Sequence, residues 1–257
     1  MNYITHLENE LRDRPPQRKS LRTRKRLMIA IAKVLEDQGY HSLRLSDATQ
    51  EAGVAEGTIY VYFNDRPQAI NEVMFDFLEN FVQVHVDAPV QKFGRESPFE
   101  SLNASILHWI KLCRANSGLI RCMFQMSDEN PDFLAHVQRF NMGWVTSVSK
   151  RLQKYRKHSD EDIAALFVYS VGIMLDELIR RLLVYPDEGL LSQLDRVGDR
   201  DEVMANVVTS IWMKVLFPEA PLPSKRTGPL AAIIDWIQQP PNGDGSAKRA
   251  RRKLPTS

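Results

Sequence analysis

Apolar residues recur at intervals of three and four along most of the chain, and the two-residue alternation of strands is scarce. The pattern predicts an all-α protein. A first helix over about 22–38 puts Leu27, Ile31, Val34 and Leu35 on one face and stops at Gly39, where a helix end favours a left-handed residue. Ser46 is placed to cap a short helix ending near Ala52; Gly53 and Val54 form a turn, and a further helix covers about 56–63. Asp65 caps a fourth, with Gln68 as the reciprocal partner and Pro67 in the first turn. That helix carries Ile70, Val73, Met74, Phe77, Leu78 and Phe81 as its buried stripe. After the turn-rich stretch "DAPVQKFGRESP", helices are expected over about 98–115, 117–127, 131–156, 160–185 and 200–217. Ser159 with Asp162 marks the start of the fourth of these, and "YPDEG" its end. "PLAAIIDWIQQ" can pack on the body as an extra helix, while "PPNGDGSAKRARRKLPTS" reads as disordered. Residues 1–20, polar and interrupted by Pro15 and Pro16, read as a loose arm.

Composition adds less than the placement of charge. The chain has 257 residues, 43% of them hydrophobic, enough for one large or two modest cores. Its formal net charge of +2 decides nothing alone. Yet Arg12, Arg14, Arg18, Lys19, Arg22, Arg24, Lys25 and Arg26 face a single acid, Asp13, and Lys248, Arg249, Arg251, Arg252 and Lys253 crowd the other end. Basic ends suit a polyanion, nucleic acid or an anionic membrane surface, and solvated tails look the same. Cys113 and Cys122 are too few for a disulfide framework and read as buried hydrophobes in a reducing compartment. No stretch approaches the ~20 apolar residues that cross a membrane, and the N-terminus lacks a signal peptide's apolar core, so a cytoplasmic protein is expected. The six histidines form no HExxH pair, and no phosphate loop, nucleotide fingerprint or GxSxG elbow occurs. No catalytic residue, metal or cofactor is therefore expected.

The segment "GVAEGTIYVYF", 53–63, is the most informative. At about 100° per residue, Ile59 and Phe63 share a side that Val54 can join, while Gly57 and Val61 point the opposite way. Thr58 and Tyr60 stand on the flanks and Tyr62 leaves near the end. The outward face is narrow, nearly bare in its first turn, and edged by hydroxyls. Such a face suits a DNA groove: Gly57 lets free N–H groups come close to phosphate, the hydroxyls position the helix on both strands, and Val61 can meet a thymine methyl. With the preceding short helix and the Gly53 turn it makes a helix-turn-helix. An ordinary helical hairpin, with its tyrosines packed on a neighbour, has the same spacing.

"GYHSLRLSDATQEAGVAEGTIYVYFNDRPQAINEV" resembles the N-terminal domain of the TetR family of bacterial regulators. Gly39-Tyr40, Ala52-Gly53-Val54, Gly57-Thr58, Tyr60, Tyr62-Phe63 and Arg66 occupy the positions of its recurring pattern, over about residues 22–80. The resemblance implies a homodimer on a palindromic operator in double-stranded DNA, most often a repressor released by a small molecule. It implies phosphate or base-edge contacts for Thr58, Tyr60 and Tyr62, a phosphate contact for Arg66, and DNA contacts for Arg44 and Ser46. Lysine is commoner in the family at position 66. Many relatives carry a polar or basic residue where Val61 stands, so fewer base contacts are implied there. Glu56 points to a base edge such as a cytosine amino group or is simply solvated.

The resulting division is a flexible basic arm, 1–20; a helix-turn-helix domain, 21–66; a helical ligand-binding and dimerisation domain, 67–220, entered through a connecting helix, 67–85; and a Pro-rich basic tail, mostly disordered, 221–257. The last two long helices fit the family's dimer interface, through Phe167, Val171, Leu175, Leu178, Val207, Ile211 and Val215; a wholly intramolecular core reads the same way. An apolar pocket would draw on Trp109, Phe124, Met126, Phe140, Trp144, Phe167 and Met174, residues that serve ordinary cores equally well. Arg114, Arg121 and Arg139 could meet an acidic ligand, and Asp128, Glu129, Asp132, Asp176 and Glu177 a cationic one; the sequence leaves both open. The function implied is a regulator released from DNA by a small apolar or amphipathic effector. The alternative is a ligand-binding or scaffold protein with a vestigial helix-turn-helix.

Overall fold

The computed structural model describes residues 1–90, 97–153, 160–223 and 227–239, and among them every regular element is helical. The basic run at 248–253, Ser159 and part of the turn at 87–98 lie outside the described residues.

Residues expected as a loose arm form a helix, α1 (Tyr3–Asp13). Asn2 caps it by accepting from the Thr5 N–H, and the spacing Tyr3, Leu7, Leu11 gives it an apolar stripe. Tyr3 and Leu7 are fully buried, the Tyr3 ring edge-on to Phe77 and Phe81 at 5.3 and 5.5 Å. The prolines end this helix rather than prevent it.

α2 (Lys19–Gln38) and α3 (Leu45–Ala52) follow. Ser46 is not the cap of α3: Arg44 holds that position without a side-chain bond, and the Ser46 carbonyl accepts from Thr49 inside the first turn. Gly53 closes α3 at φ 63°, the left-handed geometry that the tight turn into the next segment needs. That segment, Glu56–Val61, is a 3-10 helix rather than an α-helix. Asp65 caps α4 (Arg66–Asp76) by accepting from the Gln68 N–H at 2.8 Å, and Gln68 answers to Asn64 N–H at 2.7 Å. The rod continues through a π-helical turn, Phe77–Val82, into α5 (Gln83–Val90).

The larger part consists of α6 (Pro98–Ala115), α7 (Ser117–Glu129), α8 (Pro131–Leu152), α9 (Glu161–Ile179), α10 (Glu188–Val197), α11 (Arg200–Leu216) and α12 (Pro229–Gln238). Asn130, Asp160, Asp187 and Asp199 each cap the helix that follows them. A second π-helical turn, Arg180–Val184, ends the α9 rod. α10 was not expected from the pattern. α6 packs on α11, α8 on α9, and α12 on α11 through the buried Ile234.

One hydrophobic core runs from Tyr3 to Leu216 across both parts. They meet where α2 crosses the start of α7. There the Glu36 carboxylate accepts from Gly118 and Leu119 N–H, both at 2.9 Å, capping α7 from outside its own chain segment.

Candidate nucleic-acid interface and ligand cavity

Ile59 and Phe63 anchor the 3-10 segment, both essentially fully buried, and Val54 packs half-buried beside them. The opposite side is open: Gly57 and Glu56 are exposed, Val61 is 76% exposed and Tyr60 59%. A Cβ at Gly57 would meet nothing within 4 Å, so the bare first turn is not a demand of internal packing. Thr58 is half-buried on the flank, and Tyr62 lies half-buried against the core. Arg44 and Ser46 are exposed at the start of α3. The arrangement offers a short ridge of small and hydroxyl-bearing groups that could lie in a groove.

Arg66 departs from expectation. Its Nε donates to the Leu43 carbonyl at 2.9 Å, a second nitrogen donates to the Tyr40 carbonyl, and the guanidinium stacks over the Tyr40 ring at 5.2 Å. The side chain ties down the loop before α3 instead of reaching outward. The basic run divides likewise. Arg24 pairs with Glu72 and covers the Phe63 ring, Lys25 pairs with Glu10 at 2.9 Å, and Arg26 holds the Ala52 carbonyl. Arg18, Lys19, Arg22 and Arg44 are exposed and make no ion pair among the described residues.

A cavity of about 160 Å³ lies between α6, α8, α9 and α11. Trp109, Phe140 and Trp144 line it, with Trp212 and Tyr169. Phe124, Met126, Phe167 and Met174 do not: Met126 is buried elsewhere, Phe124 meets Arg180 at 6.0 Å, Met174 packs against the core, and Phe167 is on the outer surface. Leu175, expected at a dimer interface, lines the cavity, and Val171 is also buried within the subunit. The outward side of α9 instead carries Ile163, Leu166 at 68% exposure, Phe167 and Ile173. Ile211 on α11 is exposed, while Leu178, Val207 and Val215 are half-buried. α9 is apolar on nearly every side, so periodicity alone could not say which stripe turns inward.

Asp176 and His108 are the titratable wall groups with displaced pKa values. Burial pushes the Asp176 carboxyl up to about 6, and pushes His108 down, with repulsion from His85 adding to that. His108, Tyr169 and Trp212 escaped sequence reasoning. Tyr169 was detectable: it lies seven residues before Asp176, two turns along the same face. Among the described residues no group of three or more His, Cys, Asp or Glu could hold a metal, and no helix is long and apolar enough to cross a membrane.

Residues 27–71 match the family model "Bacterial regulatory proteins, tetR family". The fatty acid metabolism regulator protein of Bacillus subtilis (strain 168) is 32% identical over 54 residues, which are 21% of this chain and 28% of that relative's length. The match thus spans little more than a quarter of that curated relative. The fold extends much further. The fatty acid degradation regulator FadR from Bacillus halodurans aligns with a TM-score of 0.54 at 18% identity, over 77% of this chain and 96% of its own. FadR from Bacillus subtilis in complex with stearoyl-CoA gives 0.53 at 16%, over 74% and 96%. A transcriptional regulator from Rhodococcus sp. Rha1 gives 0.56 at 14%, also over 74% and 96%. At such identities these structures establish the fold alone. Over residues 27–71, therefore, the chain is similar to the N-terminal domain of the tetR family of bacterial regulatory proteins.

Proposed function

We infer that the protein is a homodimeric repressor that grips a palindromic operator through its two 3-10 segments and lets go when an effector enters the cavity. Residues 21–66 form the DNA-reading unit and 67–220 the effector-binding and dimerisation body. The observation that carries this reading is the uncovered face of Gly57 and Val61, flanked by Thr58 and Tyr60 and held rigid from behind by Ile59 and Phe63. Glu56, Arg44, Ser46 and Tyr62 contribute at its edges. One such short segment offers few contacts, and two at fixed spacing supply tight binding. The apolar outer stripe of α9 with Ile211 supports a second copy as its cover, because contiguous exposed apolar surface marks an interface.

The Bacillus subtilis FadR structure holds stearoyl-CoA. Here the cavity is about 160 Å³, the size that accepts a single benzene ring. The effector is therefore compact and largely apolar, and a long acyl chain would require the helices to part.

The test is a mobility shift with the DNA flanking the protein's own gene, using wild type, Tyr60→Ala and Val61→Glu. Wild type is expected to bind specifically, less tightly as salt rises; both variants are expected to lose the complex while keeping the wild-type melting temperature. Equal binding by all three would remove the assigned face.

A further inference from the structure

Asp176 sets a carboxylate into a cavity wall otherwise dominated by aromatic and aliphatic side chains. No hydrogen bond or ion pair from a described residue reaches that carboxylate. The cations nearest in sequence are committed elsewhere: Arg180 and Arg181 pair with Glu177, and Arg181 also with Asp187. Arg114, on α6, is held by Asp201. His108, on the wall near α5, has its pKa pushed down by burial, which disfavours its charged form. Arg151 also lines the cavity, on α8, eleven residues and about 16 Å along the helix from Phe140. Burial raises the Asp176 carboxyl, and among the described residues no cation offsets its charge.

The rings are placed to complete what the carboxylate lacks. Gly172 precedes Asp176 by one turn and lets Trp144 press on α9: a Cβ there would stand 2.9 Å from the Trp144 ring. Tyr169, one turn earlier, lines the same slot, and with Ile173 it is partly exposed, so the cavity reaches the surface beside α9. An aromatic-walled slot with one unpaired carboxylate attracts a cation twice, by charge and by the ring quadrupoles.

Building on the reading of this cavity as the effector site, we propose that its ligand is a compact organic cation. An ammonium group on a single aromatic or short alkyl body takes Asp176 as counter-ion and rests against Trp144 and Tyr169. The cavity volume admits one ring and little more, which excludes bulkier cations.

Titration calorimetry on the full chain at pH 7.5 tests this with three probes of one shape: 2-phenylethylammonium, 2-phenylethanol and phenylacetate. The ammonium is expected to bind at least about tenfold more tightly than either of the others. Asp176→Asn is expected to erase that preference while leaving 2-phenylethanol unchanged or improved. Equal or tighter binding of the alcohol would mean a protonated Asp176 acting as donor, and of phenylacetate an anchor at Arg151; either overturns the proposal, as does no heat with the ammonium. The probe series on wild type needs no variant, so a poorly folding Asp176→Asn leaves the proposal falsifiable. The same probes added to the operator complex separate the two readings. Cation-selective binding that leaves DNA bound upholds the ligand class and refutes the effector role; release by the neutral probe alone does the reverse.

Discussion

Gly118→Ala should break the joint between the DNA-reading unit and the body. A Cβ at 118 would lie 2.1 Å from the Glu36 carbonyl oxygen, 2.6 Å from its Cα and 2.7 Å from its carbonyl carbon. All three are backbone atoms of α2 and cannot swing aside, so α2 and α7 must separate by about 1 Å to reach ordinary contact. Separation strains the Glu36 caps on Gly118 and Leu119 N–H and the contact of the Cys122 thiol with the Leu35 carbonyl. Overpacking costs about 1–3 kcal/mol, and two charge-assisted hydrogen bonds at a helix N-terminus contribute about 1.5–3 kcal/mol each when intact. A loss of about 3 kcal/mol follows if the bonds are weakened rather than lost, equivalent to ~10 °C in a chain of this size. Urea unfolding followed by circular dichroism reads the loss directly. Glu36→Ala removes both caps outright without the clash and should cost about 3–6 kcal/mol, at least as much as Gly118→Ala. A wild-type midpoint for Gly118→Ala would refute the backbone contact.

Three further outcomes are expected. Asp176 carries a carboxyl raised by burial to about 6 from 3.8, so the folded state binds its proton more tightly and is penalised once that proton leaves. Stability from this group falls as pH rises from about 4 to 6, by about 3 kcal/mol in all. Asp176→Asn should raise the urea midpoint at pH 7 and lose that advantage near pH 4; a pH-independent effect would contradict the assignment. Arg66→Lys surrenders the paired carbonyl bonds and the Tyr40 stacking, and should cost about 1–3 kcal/mol in the same assay, whereas an outward phosphate contact would leave stability unchanged. Gly57→Ala should leave stability within about 0.5 kcal/mol of wild type, since its Cβ meets open space, yet weaken operator binding in a mobility shift. Undiminished binding would mean that the DNA backbone does not approach this turn.

What could be read from the sequence divides along a physical line. A helix with one apolar stripe announces both its existence and its inward face, and α2, α4 and α6 follow their patterns closely. The open side of Gly57 and Val61 was legible for the same reason, because Ile59 and Phe63 leave it no choice. α1 was concealed by its surroundings: two prolines and a run of arginines outweigh four apolar residues, although Tyr3, Leu7 and Leu11 keep helical spacing. α10 follows Pro186 and Gly189, signals of a turn, and its capping Asp187 reads equally well as part of that turn. Side-chain destinations were least legible where a residue has two good uses. Arg66 can span outward to a phosphate or back to a carbonyl, and only the position of Tyr40 and Leu43 decides. α9 is apolar all round, so Val171 and Leu175 could face a partner or the interior until α8 is laid against them. The cavity inherits that ambiguity. Its rings were suggested by composition, but its buried carboxylate became meaningful only when α6, α8 and α11 closed around Asp176 and left it no partner among the described residues.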